Sequence, residues 1–168
     1  MLVYSNGKIN ILANTRCGST AIGVFLGLGR HYERINTIDD WIQFSGKKVI
    51  ILRNPYDRVM SAVRTLNYLE EAEKLTCDAE EFFVRHSCPY LWMIQEQNFS
   101  VVLYEDLVKY VPEKDSHQTN TSNVSNETYI INSAYGPECL KYEYLLYKIY
   151  KSEREILNVE SWNMLCER

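Results

Sequence analysis

Short apolar runs recur along the chain at intervals typical of a buried sheet. Residues 8–13 alternate between polar and apolar side chains and then become continuously apolar, which predicts a strand entering a sheet interior. Residues 48–52 read Lys-Val-Ile-Ile-Leu, and an apolar run without alternation predicts a central parallel strand buried on both faces. A third buried strand is predicted over residues 101–104, and it stops at Glu105-Asp106.

Helices are predicted between and after these strands. Residues 21–28 are apolar and form a first candidate, although their glycines lower the helix propensity. Pro55 suits the first turn of a helix that runs to about Glu73, and a further helix is predicted over 78–97. The last predicted helix covers about 138–157. One face of it is marked by Leu140, Tyr144, Tyr147 and Tyr150.

The remaining segments complete the predicted fold. Residues 32–38 predict a short strand, and residues 39–45 predict a short helix with an aspartate as its N-cap. Residues 112–136, rich in Ser, Thr and Asn, predict a long loop of the kind that serves as a lid or binding segment. Strands that alternate with helices predict one α/β domain over residues 1–168, a three-layer fold with a mostly parallel central sheet. Ligands bind such sheets at the carboxyl ends of the strands.

Composition and charge are those of an ordinary globular domain. The chain is 46% hydrophobic and 24% charged, and 18 Lys+Arg against 22 Asp+Glu give a net charge of −4. This balance argues against nucleic acid or an anionic membrane as a partner. No apolar stretch is long enough to span a bilayer, and no basic region followed by a long apolar run opens the chain. We therefore expect a protein that is not exported and works in the cytoplasm.

The cysteine pattern agrees with a reducing compartment. The five cysteines are odd in number and include no Cys-x-x-Cys pair. A disulfide framework or a zinc site is therefore not expected, and no other ligand cluster predicts a metal.

The first chemically distinctive segment follows the first predicted strand. Residues 15–20 read Thr-Arg-Cys-Gly-Ser-Thr, and N–H groups at such a helix start bind phosphate oxygens. Arg16 can donate two hydrogen bonds to one anionic group. An ordinary strand-to-helix turn with Ser19 as the cap explains the segment equally well. It is neither a Walker-type P-loop, since the lysine and first glycine are missing, nor a tyrosine-phosphatase loop, since Gly23 stands where the arginine belongs.

The second distinctive segment follows the central strand. Residues 52–61 read Leu-Arg-Asn-Pro-Tyr-Asp-Arg-Val-Met-Ser. Arg53 leaves the sheet at its carboxyl edge, and Ser61 lies eight residues later, about two helical turns on. Both side chains can therefore reach one phosphate. The alternative for Arg53 is a salt bridge to a neighbouring carboxylate.

Together the two segments resemble the nucleotide-binding motifs of sulfotransferases that use 3′-phosphoadenosine 5′-phosphosulfate (PAPS). Residues 15–20 are similar to the 5′-phosphosulfate loop in the Arg-x-Gly-Ser-Ser/Thr form of carbohydrate and bacterial members. Residues 52–61 are similar to the 3′-phosphate motif, in which an Arg and a Ser eight residues apart hold that phosphate. Residues 102–107 (Val-Leu-Tyr-Glu-Asp-Leu) resemble the Tyr-Glu-Asp-Leu that ends a later strand in that family.

The resemblance implies a P-loop-like sulfotransferase fold that moves a sulfuryl group from PAPS to an acceptor hydroxyl on a carbohydrate or other small molecule. In-line transfer of this kind needs alignment and charge stabilisation, and no metal. Arg16 would neutralise the leaving phosphate, and Glu33 would be the general base, with His31 as second candidate. A solvated loop residue is the alternative for each of these two. The implied nucleotide-binding residues are Arg16, Cys17, Gly18, Ser19, Thr20, Arg53 and Ser61.

Two other functions remain open on the same scaffold. One is a nucleotide-dependent phosphotransferase, although the chain lacks a P-loop lysine and an obvious magnesium-binding aspartate beside the first loop. The other is a nucleotide-binding module without turnover. The acceptor and the oligomeric state are not indicated by the sequence.

Overall fold

Five strands form one sheet in the computed structural model, which describes residues 2–5, 9–14, 16–18, 33–34, 37–87, 89–94, 97–110 and 136–158. The strands are β1 (Leu2–Ser5), β2 (Ile9–Ala13), β3 (Glu33–Arg34), β4 (Lys47–Leu52) and β5 (Ser100–Leu103). Their order is β3-β1-β2-β4-β5, and β1 runs antiparallel to both of its neighbours, while β2, β4 and β5 are parallel. Four of the five strands therefore point the same way. The predicted α/β fold with a mostly parallel sheet is confirmed.

The central strand is β4, as its sequence predicts. It lies between β2 and β5, with Leu12 opposite Ile50 and Leu52 opposite Leu103. Its last four residues are completely buried, because a parallel strand in the middle of a sheet is covered on both faces. The carboxyl ends of β2, β4 and β5 consequently lie at one edge of the sheet, where the three motif segments begin.

The strand β1 is not among the elements predicted from the sequence. It pairs with β2, so that Val3 lies opposite Leu12, and its buried side chains Val3 and Tyr4 join the main core. The segment Leu2–Ser5 precedes Asn6-Gly7, a dipeptide typical of tight hairpin turns. That dipeptide is the sequence signal for this strand.

Five helices are described in the same residues. They are α1 (Ile38–Gln43), α2 (Pro55–Glu71), α3 (Ala79–Ser87), α4 (Tyr104–Leu107) and α5 (Gly136–Glu153), with 3₁₀ turns at Leu91–Ile94 and Val108–Tyr110. Pro55 opens α2 as predicted. The helix predicted over 78–97 is wrong beyond Ser87, since Pro89 has no N–H for a helical hydrogen bond and a 3₁₀ turn follows it. The last helix ends at Glu153, earlier than predicted, and Ile156 instead bridges to Val101 of the sheet.

The cap of α1 also differs from its prediction. Thr37, and not an aspartate, is the N-cap: its hydroxyl accepts from the Asp40 N–H at 3.2 Å. The Asp40 carboxylate accepts from the Thr37 N–H at 3.0 Å in return. This reciprocal pair is a capping box, in which the acidic residue belongs three positions after the cap.

A second, smaller core joins α2, α3 and α5. It consists of Val59, Ala62, Val63, Leu66, Phe82, Phe83 and Leu140. On α5, the predicted apolar face is confirmed, because Leu140, Tyr147 and Tyr150 are buried and Tyr144 is partly buried. This packing orients α2 so that its polar residues Ser61 and Thr65 reach the sheet edge.

The helix predicted over 21–28 and the loop predicted over 112–136 lie outside the described residues. In the part of the chain that is described, no helix combines the length and the apolar character needed to cross a membrane.

Candidate functional site

Two arginines come together at the carboxyl edge of the sheet. Arg16 lies in the turn after β2, where a hydrogen bond of 3.0 Å joins the N–H of Cys17 to the carbonyl of Asn14. Arg53 is the first residue after β4, and its Nη1 donates to the backbone carbonyl of Arg16. The parallel pairing of β2 with β4 brings these two strand ends side by side. We call the pair Arg16 and Arg53 the arginine pair.

The guanidinium of Arg16 is oriented by α2. Its Nε donates to the hydroxyl of Ser61 at 3.3 Å, and its Nη2 donates to the hydroxyl of Thr65. The Thr65 hydroxyl donates in turn to the carbonyl of Ser61 at 2.9 Å. Thr65 is not among the site residues predicted from the sequence. Residues four apart on a helix share a face, so the position of Thr65 one turn after Ser61 could have indicated its role.

The guanidinium of Arg53 lies against an aromatic ring. Its central carbon is 4.0 Å from the centroid of Tyr104, which is the first residue of α4, directly after β5. Such stacking fixes the plane of the guanidinium. The Nε of Arg53 is buried and has no hydrogen-bond partner among the described residues. A buried N–H without a partner carries a free-energy cost that an acceptor on a ligand would remove.

The arginine pair has no carboxylate partner within the described ranges. The ion pairs found there involve other residues. Burial lowers the pKa of Arg16, and the charge of Arg53 lowers it further, whereas Tyr104 acts in the opposite direction. Two half-buried cations side by side repel each other. The site therefore favours an anion that lies near both of them.

The turn between Arg16 and Gly18 has a left-handed backbone. The φ angles are 61° at Arg16 and 83° at Gly18. A Cβ atom on Gly18 would lie 3.1 Å from two ring carbons of Tyr104 and 3.3 Å from a methyl carbon of Leu107. Glycine is therefore needed at this position both for its backbone freedom and for the close approach of the Tyr104 ring.

Replacing Gly18 with alanine is expected to destabilise the fold more than the same change at Gly136. Both glycines have positive φ, so each substitution carries a backbone cost of about 1–2 kcal/mol. Only at Gly18 does the new methyl group meet packed side chains, which adds about 1–3 kcal/mol. Urea unfolding of both variants measures the difference. Equal losses of stability would show that the Tyr104 contact is unimportant.

Cys17 connects this turn to the core. Its side chain is completely buried, with Sγ 3.7 Å from the hydroxyl of Tyr90, and that hydroxyl lies 3.0 Å from the carbonyl of Ile51, to which it can donate. Burial raises the pKa of the Cys17 thiol, although the charge of Arg58 opposes this. Both the thiol and the N–H of Cys17 are engaged within the protein. Cys17 thus packs the turn in place.

Behind Cys17 lies a buried polar group that the sequence does not indicate. Glu143 of α5 is completely buried, and its carboxylate accepts from the N–H of Tyr90 at 2.8 Å and from the N–H of Leu91 at 3.0 Å. The guanidinium of Arg58 lies 5.5 Å from the ring of Tyr90 and donates to the carbonyl of Ser87 at 3.0 Å. Burial raises the pKa of Glu143, while the N–H donors and Arg58 oppose that rise. These contacts link α5 to the turn that carries the arginine pair.

The other predicted site residues are placed only in part. The backbone of Glu33 lies in β3, where it pairs with Val3, which in turn pairs with Leu12 of β2. The backbone of Glu33 is therefore two strands away from that of Leu12, at the same level of the sheet, which corresponds to roughly 10 Å. His31, Ser19 and Thr20 lie outside the described residues.

No three His, Cys, Asp or Glu side chains come together as metal ligands in the described segments. Comparisons of the chain with protein-family models, with curated proteins and with solved structures gave no significant match. Function is therefore inferred from the residues and their geometry.

Proposed function

We propose that this protein binds PAPS and transfers its sulfuryl group to an acceptor hydroxyl. The observation that carries the proposal is the arginine pair, two half-buried cations at one sheet edge with no carboxylate partner among the described residues. PAPS carries phosphate groups at the 3′ and 5′ positions of its ribose, so it would place negative charge beside both arginines. The three motif resemblances supply the identity of the anion.

Arg53 and Ser61 are proposed to hold the 3′-phosphate. The buried Nε–H of Arg53 can donate to a phosphate oxygen, and the ring of Tyr104 fixes the plane of the guanidinium. A planar guanidinium suits the paired oxygens of a phosphate. The 5′-phosphosulfate would lie on the turn at Gly18, with Ser19 and Thr20 as further donors in the motif.

Arg16 is proposed to stabilise the leaving phosphate. When PAPS is bound, it supplies an activated sulfuryl group. The residues of the chain then need to align the acceptor and neutralise the charge that develops, which is the main requirement of in-line transfer. The hydroxyls of Ser61 and Thr65 on α2 already orient the Arg16 guanidinium, so its side chain does not need to move as charge develops on the phosphate.

A binding experiment tests the proposal directly. We expect 3′-phosphoadenosine 5′-phosphate (PAP), the product nucleotide, to bind about 100-fold more tightly than adenosine 5′-phosphate. Loss of the 3′-phosphate removes about two charge-assisted hydrogen bonds of roughly 1.5–3 kcal/mol each, and 1.4 kcal/mol is a factor of ten. Isothermal titration calorimetry measures both affinities.

Three outcomes would contradict parts of this proposal. No binding of either PAP or PAPS would remove it. Equal affinities for PAP and adenosine 5′-phosphate would show that Arg53 and Ser61 do not hold a 3′-phosphate. Tight PAP binding without transfer from radiolabelled PAPS to a glucosamine oligosaccharide, a phenol or a tyrosyl peptide would indicate a non-catalytic nucleotide-binding module.

A cytoplasmic location belongs to the same proposal. Its support is that the described cysteines Cys17, Cys77 and Cys139 carry free thiols, the state maintained in reducing compartments.

A further inference from the structure

His86 is a titratable group near the arginine pair that the motifs do not include. It lies half-buried in the last turn of α3, and its ring stacks on Phe82 with centroids 3.9 Å apart. Its Nδ1 is 2.7 Å from the carbonyl oxygen of Phe82. Because a carbonyl only accepts hydrogen bonds, Nδ1 must carry a proton in this contact. In the neutral ring, Nε2 then has an unprotonated lone pair, and it has no partner among the described residues.

The helix that carries His86 packs on the helix that holds Arg16. Phe82, one turn before His86, is buried in the small core against α2, and the Ser61 and Thr65 hydroxyls of α2 hold the Arg16 guanidinium. The side chain of His86 projects from the same face of α3 as Phe82, as residues four apart do. Arg58, three residues before Ser61 on α2, donates to the carbonyl of Ser87, the residue after His86, at 3.0 Å. Residues three apart on a helix share a face, so the end of α3 that carries His86 lies against the face of α2 that holds Arg16.

The surroundings of this imidazole disfavour its charged form. Burial lowers the pKa of His86, and the charges of Arg16 and of Arg85 lower it further, whereas the hydrogen bond with the Phe82 carbonyl raises it. Arg16 from the first turn and Arg85 from α3 are the charged groups that influence it, and both disfavour the imidazolium.

We propose that His86 is the general base of the sulfuryl transfer, an inference that rests on the proposed function. The acceptor oxygen forms a bond to the sulfur of PAPS as the bond from sulfur to the bridging phosphate oxygen breaks, and that electron pair leaves on PAP. The hydroxyl proton passes to Nε2 of His86, and the resulting imidazolium then releases it to water. His86 takes the role that the sulfotransferase resemblance implies for Glu33 or His31.

Two substitutions at His86 test this assignment in the full chain. We expect His86→Gln and His86→Phe to bind PAP within about twofold of the unsubstituted protein, because neither removes a phosphate ligand. Transfer from radiolabelled PAPS should fall by about 100-fold or more, as is typical when a general base is lost. Glu80→Gln is the matched control, since Glu80 is exposed on the same helix, and it should transfer at the unsubstituted rate. Thermal unfolding checks that each variant folds.

The pH dependence gives a second measurement. For the unsubstituted protein, kcat/KM should rise with pH through a pKa below the ordinary histidine value of 6.5 and then level off. That acid limb should vanish in the His86 variants. In NMR titrations, PAP should raise the pKa of the His86 imidazole, because the bound anion offsets the charge of Arg16.

The outcomes separate this inference from the proposed function. If the unsubstituted protein binds no PAP or transfers no sulfuryl group, the proposed function fails, and the role of His86 fails with it. If transfer occurs and His86→Gln retains both the rate and the acid limb, only the assignment of His86 is overturned. Transfer lost in Glu33→Gln or His31→Gln, and kept in His86→Gln, would identify the base that the sequence predicts.

Discussion

Replacing Arg53 with alanine is expected to lower the affinity for PAP by about 100-fold or more, because Arg53 is proposed to hold the 3′-phosphate. The variant loses the buried Nε donor and the stack on Tyr104, and with them the proposed contact with the 3′-phosphate. Two charge-assisted hydrogen bonds of about 1.5–3 kcal/mol each account for a loss of this size. The fold should tolerate the change, because losing the bond to the Arg16 carbonyl is offset by relief of the repulsion between the two arginines.

Calorimetry with PAP on three variants measures this effect. Arg64→Ala is the matched control, since Arg64 is an exposed arginine on α2 whose loss should leave PAP affinity unchanged. Arg53→Lys keeps the charge but lacks the planar fork, so it should retain only about a tenth of the affinity. If Arg53→Ala binds PAP as tightly as the unsubstituted protein, the 3′-phosphate assignment is wrong.

The sheet and its carboxyl edge follow from local sequence patterns. The run Val49–Leu52 has no polar residue to face solvent, so it predicts a strand covered on both sides. Parallel strands bring their carboxyl ends to one edge, which explains why Arg16 and Arg53, 37 residues apart, meet there.

Local patterns failed where a single residue decides the geometry. Pro89 ends helical pairing inside an otherwise helical pattern, and Thr37 takes the cap position from the aspartates that follow it.

The residues that contact the site side chains could not be predicted from the sequence. Thr65 is separated from Arg16 by 49 residues and Tyr90 from Glu143 by 53. Such contacts depend on how helices pack on the sheet and not on any short motif. Glu143 is the clearest case, because a glutamate in an amphipathic helix ordinarily faces solvent. Only the packed structure shows that it accepts backbone N–H groups in the core.

Replacing Glu143 with alanine is expected to lower the free energy of unfolding by about 2–6 kcal/mol, since each of two buried N–H groups left without an acceptor costs about 1–3 kcal/mol. The change leaves the N–H groups of Tyr90 and Leu91 without an acceptor and the buried guanidinium of Arg58 without its neighbouring carboxylate. Because Tyr90 also contacts Cys17, the turn beneath the arginine pair should loosen and PAP affinity should fall as well. Urea unfolding and calorimetry measure the two effects. Glu138→Ala is the control, since Glu138 is exposed on the same helix and should be tolerated with little change.

The pH dependence of stability separates the contribution of the ionisable proton of Glu143 from that of its hydrogen-bonding oxygen. Since burial raises the pKa of Glu143, the folded protein keeps a proton there at pH values where the unfolded chain has released it. The stability from this group is therefore complete below its ordinary pKa of 4.5 and is lost as pH rises through the folded value. Glu143→Gln keeps the acceptor oxygen but cannot titrate, so the advantage of the unsubstituted protein over it should be largest at acid pH. If urea unfolding showed that advantage growing with pH, the carboxylate would be stabilised in its ionised form, and the hydrogen bonds with Tyr90 and Leu91 would outweigh its burial.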